Sequence, residues 1–218
     1  MSLYTFCSFS YLLVLMISWT LTLYGYRSLP TALRVVSILV GITFFTECTG
    51  YILALVRRNN LAVYNIFSLV QTILTIFYFK TTLPVLQKGR RAVILMGIAI
   101  LFNVFNTSIF QPLYDLNSNF MFFQGLLTIS LGLYGLNYHI MRQPTGKRGH
   151  GPYFWINLIL VFFWSATFLD WSIYDYLAAT APGDMWIINM TILIANIITY
   201  LGIGSVYYFY RPHGRANA

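Results

Sequence analysis

Charge is what this chain lacks: Asp, Glu, Lys and Arg together make up 8% of its 218 residues, and only five of them are acidic. A soluble domain carries roughly a quarter charged residues. A water-facing surface cannot be built from so few, and with 58% of the residues apolar the surface is expected to face lipid. The formal charge is +8, but the cations sit in short clusters between apolar runs. No basic face exists on which a phosphate backbone could lie, so nucleic acid is excluded as a partner.

Other scarcities exclude chemistry. The two cysteines, Cys7 and Cys48, fall inside apolar runs at depths that do not match, so they read as small buried residues rather than as a disulfide. The three histidines, His139, His150 and His213, lie at or beyond the ends of apolar runs with no acid beside them. That excludes the clustered ligands of an intramembrane metallohydrolase. Lysine occurs only at Lys80, Lys88 and Lys147, none in the last apolar run. Seven-helix retinal proteins need a lysine there for the Schiff base, so a covalent retinal is excluded. The stretch 146–151 contains Gly-Lys without the spacing of a phosphate loop, and no nucleophile motif is present. An enzyme is not expected, and neither is a cofactor or a bound metal.

What the chain has is long apolar runs, expected as spans over residues 4–26, 31–56, 61–83, 92–110, 119–141, 153–169 and 184–210. Each approaches or exceeds the roughly 20 residues that cross a bilayer as a helix. Barrel strands would be about half as long and would alternate in polarity. The first run has neither a preceding positive charge nor an A-x-A-like site after it, so it reads as a retained span rather than a signal peptide. Residues 142–152, with three Gly and two Pro, read as a flexible basic loop, and residues 170–183 as a polar and aromatic turn. The expected fold is all-α: a polytopic membrane helix bundle of seven transmembrane helices forming one domain over residues 1–218.

Lys and Arg orient the bundle. With the N-terminus outside, Arg27, Arg34, Lys80, Lys88, Arg90, Arg91, Arg142, Lys147, Arg148, Arg211 and Arg215 all fall inside, leaving only Arg57 and Arg58 outside. The cytoplasmic side carries the basic excess, so the N-terminus is expected out and the C-terminus in. Asp115, Asp170, Asp175 and Asp184 then lie on the outer side. Tyr24, Tyr26, Tyr153, Trp155, Trp171 and Trp186 gather near span ends, as the aromatic belts of membrane proteins do.

The informative residues are polar ones at depths where hydrocarbon is expected. Glu47 lies in the second span, and such acids face a bundle interior or a wet cavity. Thr43, Gly50 and Ala54 share its helical face, and small or polar neighbours suit close helix packing. No Lys or Arg is expected at its depth, so a protonated Glu47 is the expectation. Tyr64, Ser68, Gln71, Thr75 and Tyr78 form a stripe on the third span, with Asn65 beside them. The fourth span offers Asn103 and Asn106, the fifth Gln124 and Thr128, the seventh Asn189, Asn196 and Tyr200. If these faces converge, Glu47, Asn65, Gln71, Asn106, Gln124, Asn189 and Asn196 are candidate ligand-binding residues of an outer polar pocket. Buried amides acting only as interhelical glue are the alternative.

The segment Glu47-x3-Tyr51 followed by Asn59-Asn60-x3-Tyr64-Asn65 resembles a pattern in uncharacterised seven-helix membrane proteins of bacteria. It covers about 20 residues, and this chain carries Gln71 where that pattern has an acid. The resemblance implies the topology and a bacterial inner membrane, and it carries no function. Three functions are compatible with the residues: a sensor that binds a small molecule and signals through a separate cytoplasmic or membrane partner protein, a small-solute or proton-coupled transporter, and a structural assembly subunit.

Overall fold

A computed structural model describes residues 3–57, 59–142, 151–181, 183 and 185–210. Arg58, the cluster Lys147-Arg148 with His150, Asp184, and the tail bearing Arg211, His213 and Arg215 lie outside the described residues, and so does most of the expected flexible loop. Among the described residues the secondary structure is entirely helical: α1 (Leu3–Leu23), α2 (Thr31–Arg57), α3 (Leu61–Thr82), α4 (Pro84–Gln87), α5 (Arg91–Ile109), α6 (Ser118–Met141), α7 (Pro152–Thr180) and α8 (Met185–Phe209), with a 3-10 turn at Tyr26–Ser28. All but the one-turn α4 are long and apolar enough to cross a membrane. Seven long apolar helices fit an integral membrane protein.

The helix limits follow from local chemistry. α1 stops three residues short of the expected end because Gly25 takes a left-handed conformation, with φ at 70°. Glycine adopts that conformation without a Cβ penalty. Pro84 cannot continue α3 but suits the first turn of a helix, so it opens α4 instead. The expected turn over 170–183 is a correction: α7 runs helically to Thr180. After Pro152 the next Gly or Pro is Pro182, so nothing breaks the helix earlier. At 29 residues α7 is roughly 43 Å long, well beyond the roughly 30 Å of hydrocarbon. The helix carries Trp171 and Tyr174 past residue 169, where the sixth span is expected to end.

Six spans form a ring. In cyclic order α1, α2, α3, α6, α7 and α8 each pack on the next, and α8 closes on α1. α5 packs on α3 and α6, outside the ring. On α6, Gly125, Gly132 and Gly135 line the face against α7, where Trp164, Val161 and Asn157 occupy the space a Cβ would need. Small residues let two helices approach this closely.

The two ends of the ring differ. At the end bearing the α1–α2 connection, here the carboxyl end, the interior is filled: Leu15, Val36, Val40, Ile76, Phe79, Leu83, Ile156, Ile203 and Tyr207 are buried together. Polar groups there are bonded across helices. The Tyr78 hydroxyl donates to Asn157 Oδ1 at 2.8 Å, and the Tyr207 hydroxyl donates to the Leu33 carbonyl. Ser18 Oγ donates to the Tyr200 carbonyl at 2.6 Å. The opposite end, at the α2–α3, α5–α6 and α7–α8 connections, is hollow.

Candidate functional site

The hollow end holds a cavity of about 520 Å³. All six ring helices line it and α5 does not. Ser8 and Tyr11 come from α1; Thr43, Glu47, Tyr51 and Ala54 from α2; Tyr64, Ser68 and Gln71 from α3. Gln124 comes from α6, Trp164, Trp171 and Tyr174 from α7, and Asn189, Asn196 and Tyr200 from α8, while Leu116 reaches in from the α5–α6 loop.

Glu47 is the centre of this wall, on the α2 face that also carries Thr43, Gly50 and Ala54. Thr43 and Gly50 are buried and Ala54 lines the cavity, so that face turns inward. Each carboxyl oxygen accepts one phenol: Tyr11 of α1 donates to Oε1 at 2.9 Å, and Tyr64 of α3 donates to Oε2 at 2.9 Å. One side chain of α2 thus ties three helices. Tyr64 reaches it by crossing Gly50, where a Cβ would stand 2.6 Å from the phenol oxygen. The Tyr200 ring packs at 6.0 Å from the Tyr11 ring. Among the described residues no Lys, Arg or His lines the cavity.

The amides divide into two groups. Gln71, Gln124, Asn189 and Asn196 line the cavity with Glu47. Gln124 is fully buried; its Nε2 donates to Gln71 Oε1 at 3.1 Å, and its own Oε1 has no hydrogen-bond partner. Asn196 is half-buried and Asn189 is exposed. Asn65 and Asn106 do not line the cavity; they hold the α5–α6 loop. Asn65 Nδ2 donates to the carbonyls of Leu113 at 2.7 Å and Asp115 at 2.6 Å, and its Oδ1 accepts from the Asn117 backbone at 3.2 Å. Asn106 donates to Gln111 Oε1 at 2.9 Å and to Asn117 Oδ1, and it accepts from Asn119 at 3.0 Å. Asn117 in turn caps α6, accepting from the Phe120 backbone at 3.3 Å. Asn59 donates to the Tyr114 carbonyl at 3.2 Å. Asn106 sits on the span outside the ring, so its polar face meets this loop instead of the interior.

Tyr11 and Tyr174, which the sequence did not single out, and Trp171, expected only in an aromatic belt, complete the site. Tyr11 lies at a depth from the hollow end similar to that of Glu47, and matching those depths is the signal that would pair them. Trp171 and Tyr174 wall the mouth only because α7 continues past the expected turn. Neither cysteine is in a disulfide. Among the described residues no three of His, Cys, Asp and Glu gather to hold a metal ion.

Comparison with protein-family models, curated proteins and solved structures returned no significant match to this chain.

Proposed function

We propose that this protein is a membrane sensor: it binds a small molecule in the hollow end of its ring and passes the event, through helix packing, to a separate partner protein. The observation that carries this reading is the Glu47 carboxyl, held by Tyr11 and Tyr64 on the cavity wall. A ligand that engages Glu47 acts on the group that Tyr11 and Tyr64 share, and so on α1, α2 and α3 at once. The cavity volume falls within the range of roughly 300–1,000 Å³ found for small-molecule sites. Below it the ring is filled by apolar and hydrogen-bonded side chains, which supports binding over passage.

The excess of Lys and Arg at the carboxyl end supports a cytoplasmic position for that end and an outer one for the cavity mouth. The resemblance carried by residues 47–65 supports a bacterial inner membrane as the location. A ligand arriving from outside meets the cavity, and the basic cytoplasmic connections meet the partner.

The test uses the full chain in lipid nanodiscs, screened by thermal unfolding against a library of neutral, cationic and anionic small molecules. A ligand at one hundred times its Kd raises the unfolding free energy by about 2.7 kcal/mol. At least one compound is expected to stabilise the wild type and to fail with Asn196→Trp, which fills the cavity. No such compound, or hits indifferent to Asn196→Trp, would overturn ligand binding at this site. Uptake of the hit into proteoliposomes, abolished by Glu47→Gln, would assign transport in place of sensing.

A further inference from the structure

The chemistry of the wall narrows the ligand. The cavity has one carboxyl group, no cationic side chain among the described residues, and a lining rich in aromatic faces. Tyr11, Tyr51, Tyr64, Trp171, Tyr174 and Tyr200 line the same cavity as Glu47, and Tyr11 and Tyr64 are bonded to its carboxyl. The other four acids of the chain belong by sequence to the same end: Asp115 in the α5–α6 loop, Asp170 and Asp175 in the last turns of α7, and Asp184 between α7 and α8. Arg57 and Arg58 belong to that end as well, so the acids are in excess there rather than alone, and a net excess of one sign near a low-dielectric cleft concentrates counter-ions.

Three ligand classes can be weighed against this wall. An anion would meet Glu47 with no Lys or Arg to offset the repulsion. A neutral molecule would leave the carboxyl as it is in the empty cavity, where the sequence argues for a protonated group. A cation does more: it supplies the missing counter-charge, so that the carboxylate can stand ionised in an apolar setting. It is also attracted to the negative face of each aromatic ring it lies against. Gln124, a residue of the lining, keeps its Oε1 without a partner, so a small rotation of that amide would supply an acceptor to an ammonium N–H or to a hydroxyl. Tyr11 and Tyr64 hold the carboxyl from its two oxygens, so the group is oriented before the cation arrives.

We propose that the ligand is an organic cation, a protonated amine or a quaternary ammonium ion, with its charge on Glu47 and its carbon groups against the surrounding tyrosine and tryptophan faces. This rests on the reading of the cavity as a ligand site and adds the ligand's chemical class. A volume of about 520 Å³ accommodates an ammonium ion bearing several alkyl groups or one aryl group.

The experiment compares charged and neutral molecules of matched shape on the full chain in nanodiscs. The pairs are choline with dimethylbutanol, its neutral carbon isostere, and phenethylamine with phenylethanol; tetraethylammonium and dimethylbutanoate extend the panel. Trp164 and Trp171 line the cavity, so tryptophan emission reports binding. At least one cation is expected to bind saturably, about tenfold or more tighter than its neutral partner. Glu47→Gln should reduce that preference to within about twofold, and Glu47→Asp should keep it. Should the Gln variant not fold, the wild-type ratio decides alone. Equal binding of charged and neutral partners, a preference that survives Gln, or no binding by any cation of the panel overturns the proposal. A neutral or anionic compound whose binding Asn196→Trp abolishes would leave the ligand-site reading standing while this one falls.

Discussion

Gly50 and Tyr64 are fitted to each other: a Cβ on Gly50 would lie 2.6 Å from the hydroxyl oxygen with which Tyr64 donates to Glu47. The ring atom bearing that oxygen is next, at 2.9 Å. The absence of one methyl group on α2 is therefore what lets a phenol of α3 reach the carboxyl of α2.

Gly50→Ala should break this fit. Overpacking costs about 1–3 kcal/mol, while the gain in helix propensity returns about 1 kcal/mol. The net change in stability is then small, on the order of 0–2 kcal/mol destabilising by those two ranges. Ligand binding should suffer more, because Tyr64 is displaced from Glu47. Thermal unfolding and ligand titration of the same variant separate the two effects. Tyr64→Phe should cost less in the Gly50→Ala background than in the wild type, since the hydroxyl–carboxyl bond is already lost. Equal costs in both backgrounds would show that the two residues are not coupled.

A second prediction concerns the loop. Asn65→Ala removes the donor to the Leu113 and Asp115 carbonyls and the acceptor for the Asn117 amide. The Asn117 amide is the buried group of the three, and stranding it costs about 1–3 kcal/mol. The loss should stay local: amide exchange over residues 113–119 accelerates while that of α1 and α8 does not. Leu116 lines the cavity, so cavity ligands should also bind several-fold more weakly. Unchanged exchange in the loop would contradict the role given to Asn65.

Much of this was legible in the residues. Length and hydropathy located the seven spans, and the helical spacing of Thr43, Glu47, Gly50 and Ala54 identified the face that turns inward. What could not be read is which spans share the ring. Asn106 and Gln124 look alike along the chain, yet α5 packs outside the ring and α6 within it, so one amide serves the loop and the other the cavity. The mouth was also out of reach. The polar and aromatic character of residues 170–183 suggested a turn, but polarity alone does not end a helix, and α7 continues until Pro182 approaches. The phenol pair on Glu47 required knowing that α1 and α3 flank α2, which no local pattern states.

The filled end offers a third prediction. Asn157 is fully buried, accepts from Tyr78, and has no partner for its Nδ2. Tyr78→Phe would leave the whole amide unsatisfied, at a cost of about 1–3 kcal/mol. Thermal unfolding in detergent should show this loss, with no change in the affinity of a cavity ligand, since neither residue lines the cavity. A large affinity change would mean that the filled end and the hollow end are coupled at Tyr78, and that the proposed separation of binding from packing is wrong.

Orientation is the fourth prediction, and it decides which side the cavity serves. Eleven of the thirteen Lys and Arg residues belong by sequence to the carboxyl end, and that bias outweighs the contribution of acids to topology. Cys7 and Cys48 are free thiols and would confuse labelling, so Cys7→Ser and Cys48→Ala come first. In that background Asn59→Cys, at the exposed start of α3, should react with a membrane-impermeant maleimide added to intact cells. Lys88→Cys, in the exposed connection after α4, should react only after the membrane is opened. The reverse pattern would put the cavity mouth and its acids in the cytoplasm. The protein would then read the cell's own metabolites, and the basic connections would face outward, where no cytoplasmic partner could meet them.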